Sequence, residues 1–402
     1  MNIIQINSYV TLNGGSETVM SNFTELFQKN GHCVLNLGYI SIKNKRQMKS
    51  SFPLGEEKYS VSTFFSEKRI VETIIEKINA LNTDLVICHN VYHKYPMADL
   101  LKSIKERTTA TIMMVFHDYK PVCPRANLYN GKRICTDCSG GRFYNMSRHR
   151  CRNNSFLESS LLVMDSYYNN TFRDAYQYPD IFISPSTFLA EQFGKMGFSR
   201  KINVINNPID TDDIPFHKKI GPKHNTLLFA GRLTKDKGVE VYIDTARSMP
   251  EFNFLIAGHG ELLETVKNAD REIKNIHYLG SLSKSQLLEQ FEIADYLVIP
   301  SIWYENNPMI IIEAMAFGLP VLASSLGGIP ELMNGERGFL FDPYQNGSLE
   351  QRIRELNLLP DEIYQATAER ARVFSSNFSY DRYFEKLCLI IPQLSNSEKE
   401  KC

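Results

Sequence analysis

No apolar run in this 402-residue chain approaches the eighteen or so residues that a membrane-spanning helix needs. The first residues, M-N-I-I-Q-I-N-S, lack the basic start and long apolar stretch of a secretory leader and read instead as a first strand. Net charge is absent too: 45 Lys and Arg offset 45 Asp and Glu, which argues against a dedicated nucleic-acid binder. There is no internal repeat. These absences leave the expectation of a cytoplasmic globular protein whose eight cysteines are mostly reduced. What is present fits that class. Hydrophobic residues make up 43% and charged residues 22%, as in ordinary enzymes, and 402 residues suit two domains better than one core.

Strand-like and helix-like runs alternate along the chain. Strands are expected at 3–6, 33–37, 84–89, 111–116, 181–184 and 201–205, then at 226–230, 253–257, 276–279, 295–299, 321–324 and 338–341. Amphipathic segments such as 17–29 and 287–291 lie between them. Such alternation implies α/β architecture with parallel sheets, whose ligands sit beyond the carboxyl ends of the strands. The polar, proline-containing run Asn206 to Asp210 (N-N-P-I-D) reads as the seam between two halves. Two basic clusters stand out locally: Lys43, Lys45, Arg46 and Lys49, and Arg142, Arg148, Arg150 and Arg152. They read as solvated surface or as a patch facing a membrane or a pyrophosphate.

The most informative stretch is Ser301 to Leu322, S-I-W-Y-E-N-N-P-M-I-I-I-E-A-M-A-F-G-L-P-V-L. Pro308 suits the first position of a helix and Asn307 its N-cap. Glu305 then lies on the loop and Glu313 about a turn inside the helix. Two carboxylates so spaced cannot share one proton or one metal, but they can hold two ends of an elongated ligand. The helix N-terminus between them attracts negative charge. Upstream, Arg232 follows a strand and Lys237 precedes the next helix (A-G-R-L-T-K-D-K-G), a fork and a point charge that suit a diphosphate. Gly14 and Gly15, between the first strand and first helix, would let backbone approach a phosphate closely.

The run from Ser301 to Leu332 resembles the E-x7-E signature of retaining glycosyltransferases of family 4, which have the GT-B fold. The resemblance implies two Rossmann-like domains facing across a cleft, with the C-terminal helix crossing back to the N-terminal domain. It divides the chain into an acceptor domain at 1–205 with a cysteine-containing insert at 118–155, a nucleotide-sugar donor domain at 206–375, and a returning helix at 376–402. It assigns the ribose hydroxyls to Glu313, the donor diphosphate to Arg232 and Lys237, and the transferred sugar to Glu305 and the amides after Asn306 and Asn307. It implies that His117, at a strand end, faces the donor sugar. Asp118 beside it would bind acceptor or orient His117. Gly258 and Gly260 resemble a family loop beneath the donor, and Gly327 and Gly328 play the same part before Pro330. The implied partners are a nucleotide-diphospho-sugar and a glycan or lipid-diphosphate-linked acceptor, with peripheral contact at the inner face of the cell membrane and no nucleic acid. The implied setting is bacterial surface polysaccharide synthesis: capsule, O-antigen or exopolysaccharide. A nucleotide-sugar 2-epimerase on the same fold and a non-catalytic sugar-nucleotide-binding protein are the competing readings. No residue stands out as a covalent nucleophile.

Asp210 and Asp212 spell the D-x-D of metal-dependent enzymes of another fold, but they fall in the seam, so no catalytic metal is expected. Cys123, Cys135, Cys138 and Cys151 fall within 29 residues after His117, in a stretch poor in periodic apolar residues. Such a loop cannot build its own core, and a tetrahedral zinc–thiolate clip would order it. Reduced, unligated thiols and an iron–sulfur cluster are the alternatives. Cys33, Cys88, Cys388 and Cys402 read as isolated thiols.

Overall fold

The structure of the protein is a computed structural model that describes residues 1–12, 14–41, 47–56, 68–92, 94–219, 221 and 225–396. Lys43, Lys45, Arg46 and Cys402 lie outside the described residues. The chain forms two compact units: Met1–Pro208 together with the segment from Tyr380 onward, and Ile209–Ser379.

In the first unit the strands are β1 (Asn2–Tyr9), β2 (Cys33–Ile40), β3 (Ser51–Glu56), β4 (Leu85–Cys88), β5 (Thr111–Val115), β6 (Ile181–Ser184) and β7 (Asn203–Val204). They form a parallel sheet in the order β3-β2-β1-β4-β5-β6-β7. In the second unit β8 (Thr226–Ala230), β9 (Asn253–Ala257), β10 (Ile276–Gly280), β11 (Tyr296–Ile299), β12 (Val321–Ser324) and β13 (Phe339–Phe341) form another, in the order β10-β9-β8-β11-β12-β13. Both are doubly wound sheets. Each order reverses once, between β1 and β4 and between β8 and β11, and at such switch points helices diverge to opposite faces and leave a crevice at the strands' carboxyl ends.

The strands are apolar because both faces are covered. Leu228 and Ala230 of β8 join one core layer with Leu297, Ile312 and Phe317. Leu227 and Phe229 join the other with Tyr242, Phe254 and Val298. In the first unit, Phe116 stacks on Phe182 at 5.6 Å and meets Phe193 edge-on at 4.8 Å, anchoring the end of β5. Helix Tyr380–Ile390 packs on helix Gly15–Lys29: the Tyr383 ring lies 5.1 Å from that of Phe23, and the Tyr380 hydroxyl donates to Glu25 at 3.2 Å.

Three departures from the sequence expectations have physical reasons. β3, S-F-P-L-G-E, was not anticipated, because proline and glycine demote a strand pattern; here it is a half-exposed edge strand, where a missing N–H is tolerated. β7 shrinks to two residues at the opposite edge. Cys33, expected as an isolated thiol, is disulfide-bonded, its place at the half-buried start of β2 leaving it accessible; Cys88 and Cys388 are free.

Candidate functional site

In the second unit, three loops at the strands' carboxyl ends are pressed together. The turn Lys235–Lys237 follows β8, the loop 300–308 follows β11, and 325–328 follows β12. The Ile302 N–H donates to Asp236 O at 2.9 Å and the Gly328 N–H to Glu305 O at 2.7 Å. Gly238 and Gly327 make this approach possible. Both have positive φ, and a Cβ on them would lie 1.8 Å from Pro300 O and 2.2 Å from Glu305 O.

Glu305 is the hub. Its Oε1 accepts from Lys237 Nζ at 2.6 Å, Ser301 Oγ at 2.7 Å and Trp303 Nε1 at 3.0 Å. Burial alone would raise its pKa, but the Lys237 charge and the three donors outweigh burial and hold the carboxylate below its ordinary range. The Trp303 ring also lies 5.3 Å from the Lys237 ammonium. Glu305 and Lys237, assigned from the resemblance to sugar and diphosphate separately, are therefore direct partners. Ser301 and Trp303 belong to the same constellation.

Helix Met309–Phe317 begins one residue later than expected. Pro308 has extended ψ of 105° and is the N-cap, so Asn307 precedes the cap. Asn307 is buried and Asn306 half-buried on the approach to the helix. Glu313 lies within the helix, half-buried, with no hydrogen bond to its carboxylate among the described residues. Burial raises its pKa, and Lys284 only partly offsets this. Arg232, exposed past the end of β8, makes no side-chain hydrogen bond or ion pair among the described residues. Gly258 packs on neighbouring backbone: a Cβ there would sit 1.8 Å from Gly231 O. Its N–H donates to Gly280 O at 2.8 Å, so the loops after β8, β9 and β10 form a continuous mesh.

The first unit builds its polar centre from side chains. Gln5, fully buried in β1, sits opposite Asn36 of β2, and its amide nitrogen reaches Asn36 Oδ1 and Thr24 Oγ1, both at 2.9 Å. Its oxygen, thus turned away, lies 2.9 Å from His89 Nε2. A carbonyl oxygen only accepts, so His89 Nε2 carries the proton. His89 Nδ1 then accepts from His117 Nε2 at 2.9 Å. Burial depresses both imidazoles, His89 well below its ordinary value and His117 to about 4, so both are neutral at physiological pH. The network fixes His117 with its proton on Nε2. Neither Gln5 nor His89 was singled out in the sequence, although a glutamine inside the apolar run I-I-Q-I was a signal.

Asp118 accepts the Lys120 N–H at 2.9 Å in a local turn, and burial raises it to about 6 despite Lys120. Gly14 is the N-cap of helix Gly15–Lys29, with extended backbone that any residue adopts; a Cβ on Gly15 would meet nothing. Asp210 and Asp212 lie after β7, outside both sheets.

The insert departs from expectation in one respect. It does share a small core: Cys138, Phe143 and Met146 bury with Val163, and Cys151, Leu162 and Tyr167 pack against them. The apolar partners come from helix Phe156–Tyr167, just beyond the cysteine run. A buried ion pair, Lys120 to Asp165 at 2.7 Å, ties the start of the insert to the same helix.

Residues 210–374 match the family described as Glycosyl transferases group 1. Similar proteins include an uncharacterized glycosyltransferase of Methanocaldococcus jannaschii, 28% identical over 43% of this chain and 49% of that protein. An O-antigen biosynthesis glycosyltransferase of Escherichia coli, WbnH, is 32% identical over 32% of this chain and 40% of its own length. The chain thus spans about half or less of the curated relatives just named. Across the whole chain, a solved glycosyltransferase from Rickettsia africae aligns with a TM-score of 0.67 at 17% identity, covering 99% of each chain. The fold is GT-B.

Proposed function

We propose that the protein is a retaining glycosyltransferase that moves a sugar from a nucleotide-diphospho-sugar to a glycan or lipid-linked acceptor. The observation that carries this reading is that the family-matched residues hold Lys237 fixed on Glu305, an exposed Arg232 and a half-buried Glu313, the last two with no side-chain hydrogen bond among the described residues. Glu313 accepts hydrogen bonds from the ribose hydroxyls. Arg232 and Lys237 hold the diphosphate and offset the charge that builds on it as the glycosidic bond breaks. Glu305 keeps the Lys237 ammonium in place, and the N–H groups at the helix start, Met309 and Ile310, just after Asn306, Asn307 and the N–H-less Pro308, hold the sugar. The departing phosphate takes the acceptor proton, so no protein nucleophile is required. His117, with its tautomer set by His89, serves the reacting sugar or the acceptor hydroxyl.

The acceptor belongs to bacterial surface polysaccharide synthesis in this reading, which the likeness to an O-antigen enzyme supports. The reading includes peripheral membrane contact, supported by the exposed apolar residues Leu157, Met164, Tyr168 and Phe172 on helix Phe156–Tyr167 and the turn after it. Exposed Arg148, Arg150 and Arg152 lie just before that helix in sequence. No helix among the described residues is long and apolar enough to cross a membrane.

A thermal-shift screen of nucleotide sugars tests the donor assignment, because a ligand of the native state raises the melting temperature. The hit is then assayed with acceptors. The reading expects Arg232→Ala to cut turnover more than donor binding, and normal turnover in that variant would remove the role.

A further inference from the structure

We propose that Cys123, Cys135, Cys138 and Cys151 bind one zinc ion through their thiolates and so fix the insert that follows β5. The four cysteines are spread over 29 residues of sequence. All four are free of disulfides, Cys123 and Cys138 are buried, and Cys135 and Cys151 are half-buried. The Cys138 sulfur lies within electrostatic reach of Cys123, Cys135 and Cys151, and that of Cys151 within reach of Cys123 and Cys135. The bridge between Tyr129 and Ile134 closes a hairpin that returns Cys135 beside Leu128, with the Cys135 N–H donating to Leu128 O at 2.8 Å. Cys138 and Cys151 meet in the small core with Met146.

The surroundings are those of a metal-bound sulfur set. Within Cys135-Thr136-Asp137-Cys138, the Asp137 backbone N–H points to the Cys135 sulfur, and the Met146 N–H points to that of Cys138. Such N–H···S contacts orient the sulfurs, as outer partners do around bound metal. Four soft thiolates select tetrahedral zinc over harder cations. On binding, each thiol gives up its proton to solvent and its sulfur lone pair to the ion. Asp137 and His149, hydrogen-bonded at 2.8 Å, lie beside Cys135: the Cys135 sulfur, an Asp137 oxygen and a His149 nitrogen fall within 4.8 Å of one another. We assign that pair to the outer layer, steadying Cys135. The clip has a structural consequence. Gly140, Gly141 and Phe143, held between the last two cysteines, line a groove of about 470 Å³ with Asn170, Tyr176 and Phe198.

The full chain, purified under reducing conditions, is analysed for metals by inductively coupled plasma mass spectrometry. About one zinc per chain is expected, as for a structural site. Titration of the wild-type protein with a mercurial should release zinc to a chromogenic chelator as the thiols are capped, a readout that needs no variant. Cys123→Ser and Cys138→Ser should lose the metal, whereas Cys388→Ser and His149→Ala should keep it. The proposal is overturned if zinc is absent both as purified and after zinc is added back. It is equally overturned if iron with sulfide is found, or if His149→Ala loses the metal while Cys138→Ser keeps it.

Discussion

The two units solve the same problem with different materials. In the second, loops after β8, β11 and β12 are locked by main-chain contacts, and Gly238 and Gly327 allow the approach. In the first, Asn36, Gln5, His89 and His117, drawn from four strands or strand ends, pass hydrogen bonds sideways across the sheet. A main-chain frame tolerates no added atom but accepts many side chains on its surface. A side-chain relay accepts bulk nearby but depends on the chemistry of every member.

The largest effect that would test this contrast is steric. Gly327→Val places a branched side chain where a Cβ already lies 2.2 Å from Glu305 O. Complete loss of donor binding is expected by calorimetry, while a folded Gly194→Ala control, with open space around it, keeps binding. Next, Lys237→Met leaves the buried Glu305 carboxylate without its cation, which costs about 3–5 kcal/mol. Urea unfolding measures that loss, and Lys237→Met/Glu305→Gln should recover a large part of it. Arg232→Ala should lower kcat by about 100-fold with stability unchanged, since its guanidinium has no partner among the described residues to lose.

The relay should respond more gently. Gln5→Leu removes the acceptor of the His89 proton, and kcat should fall about tenfold, one hydrogen bond's worth, while donor affinity holds. Nitrogen NMR of the His117 ring should show the Nε2–H form lost in that variant; an unchanged tautomer would break the relay argument. The smallest effect is acid sensitivity. Burial lowers His32 and His117 to about 4 and holds His89 well below its ordinary value, so the unfolded chain takes up more protons than the native one below about 6.5. Stability from these groups is complete above that pH and drains away toward 4. Asp118, raised to about 6, and Glu313 push the opposite way, so a net fall in the urea midpoint between pH 7 and 5 is expected, and a rise would contradict the histidine burial.

The same contrast explains what could be read beforehand. Arg232, Lys237, Glu305 and Glu313 lie in short motifs at strand ends, because a main-chain frame needs its glycines and polar residues at fixed local spacing. Strand positions such as 226–230 and 253–257 were legible from apolar runs alone. The relay was not, since Gln5 and His89 are 84 residues apart and each by itself is an ordinary buried polar group. The Lys237–Glu305 contact was missed for a related reason: spacing along a chain does not reveal that two loops 68 residues apart are stitched together.

Phe23 has neighbours on two sides. Its ring lies 5.5 Å from that of His89 and 5.1 Å from that of Tyr383. The last helix of the chain is therefore only one aromatic ring removed from the imidazole that dictates how His117 holds its proton. A shift of that helix would reach the His117 proton through two intervening rings, Phe23 and His89.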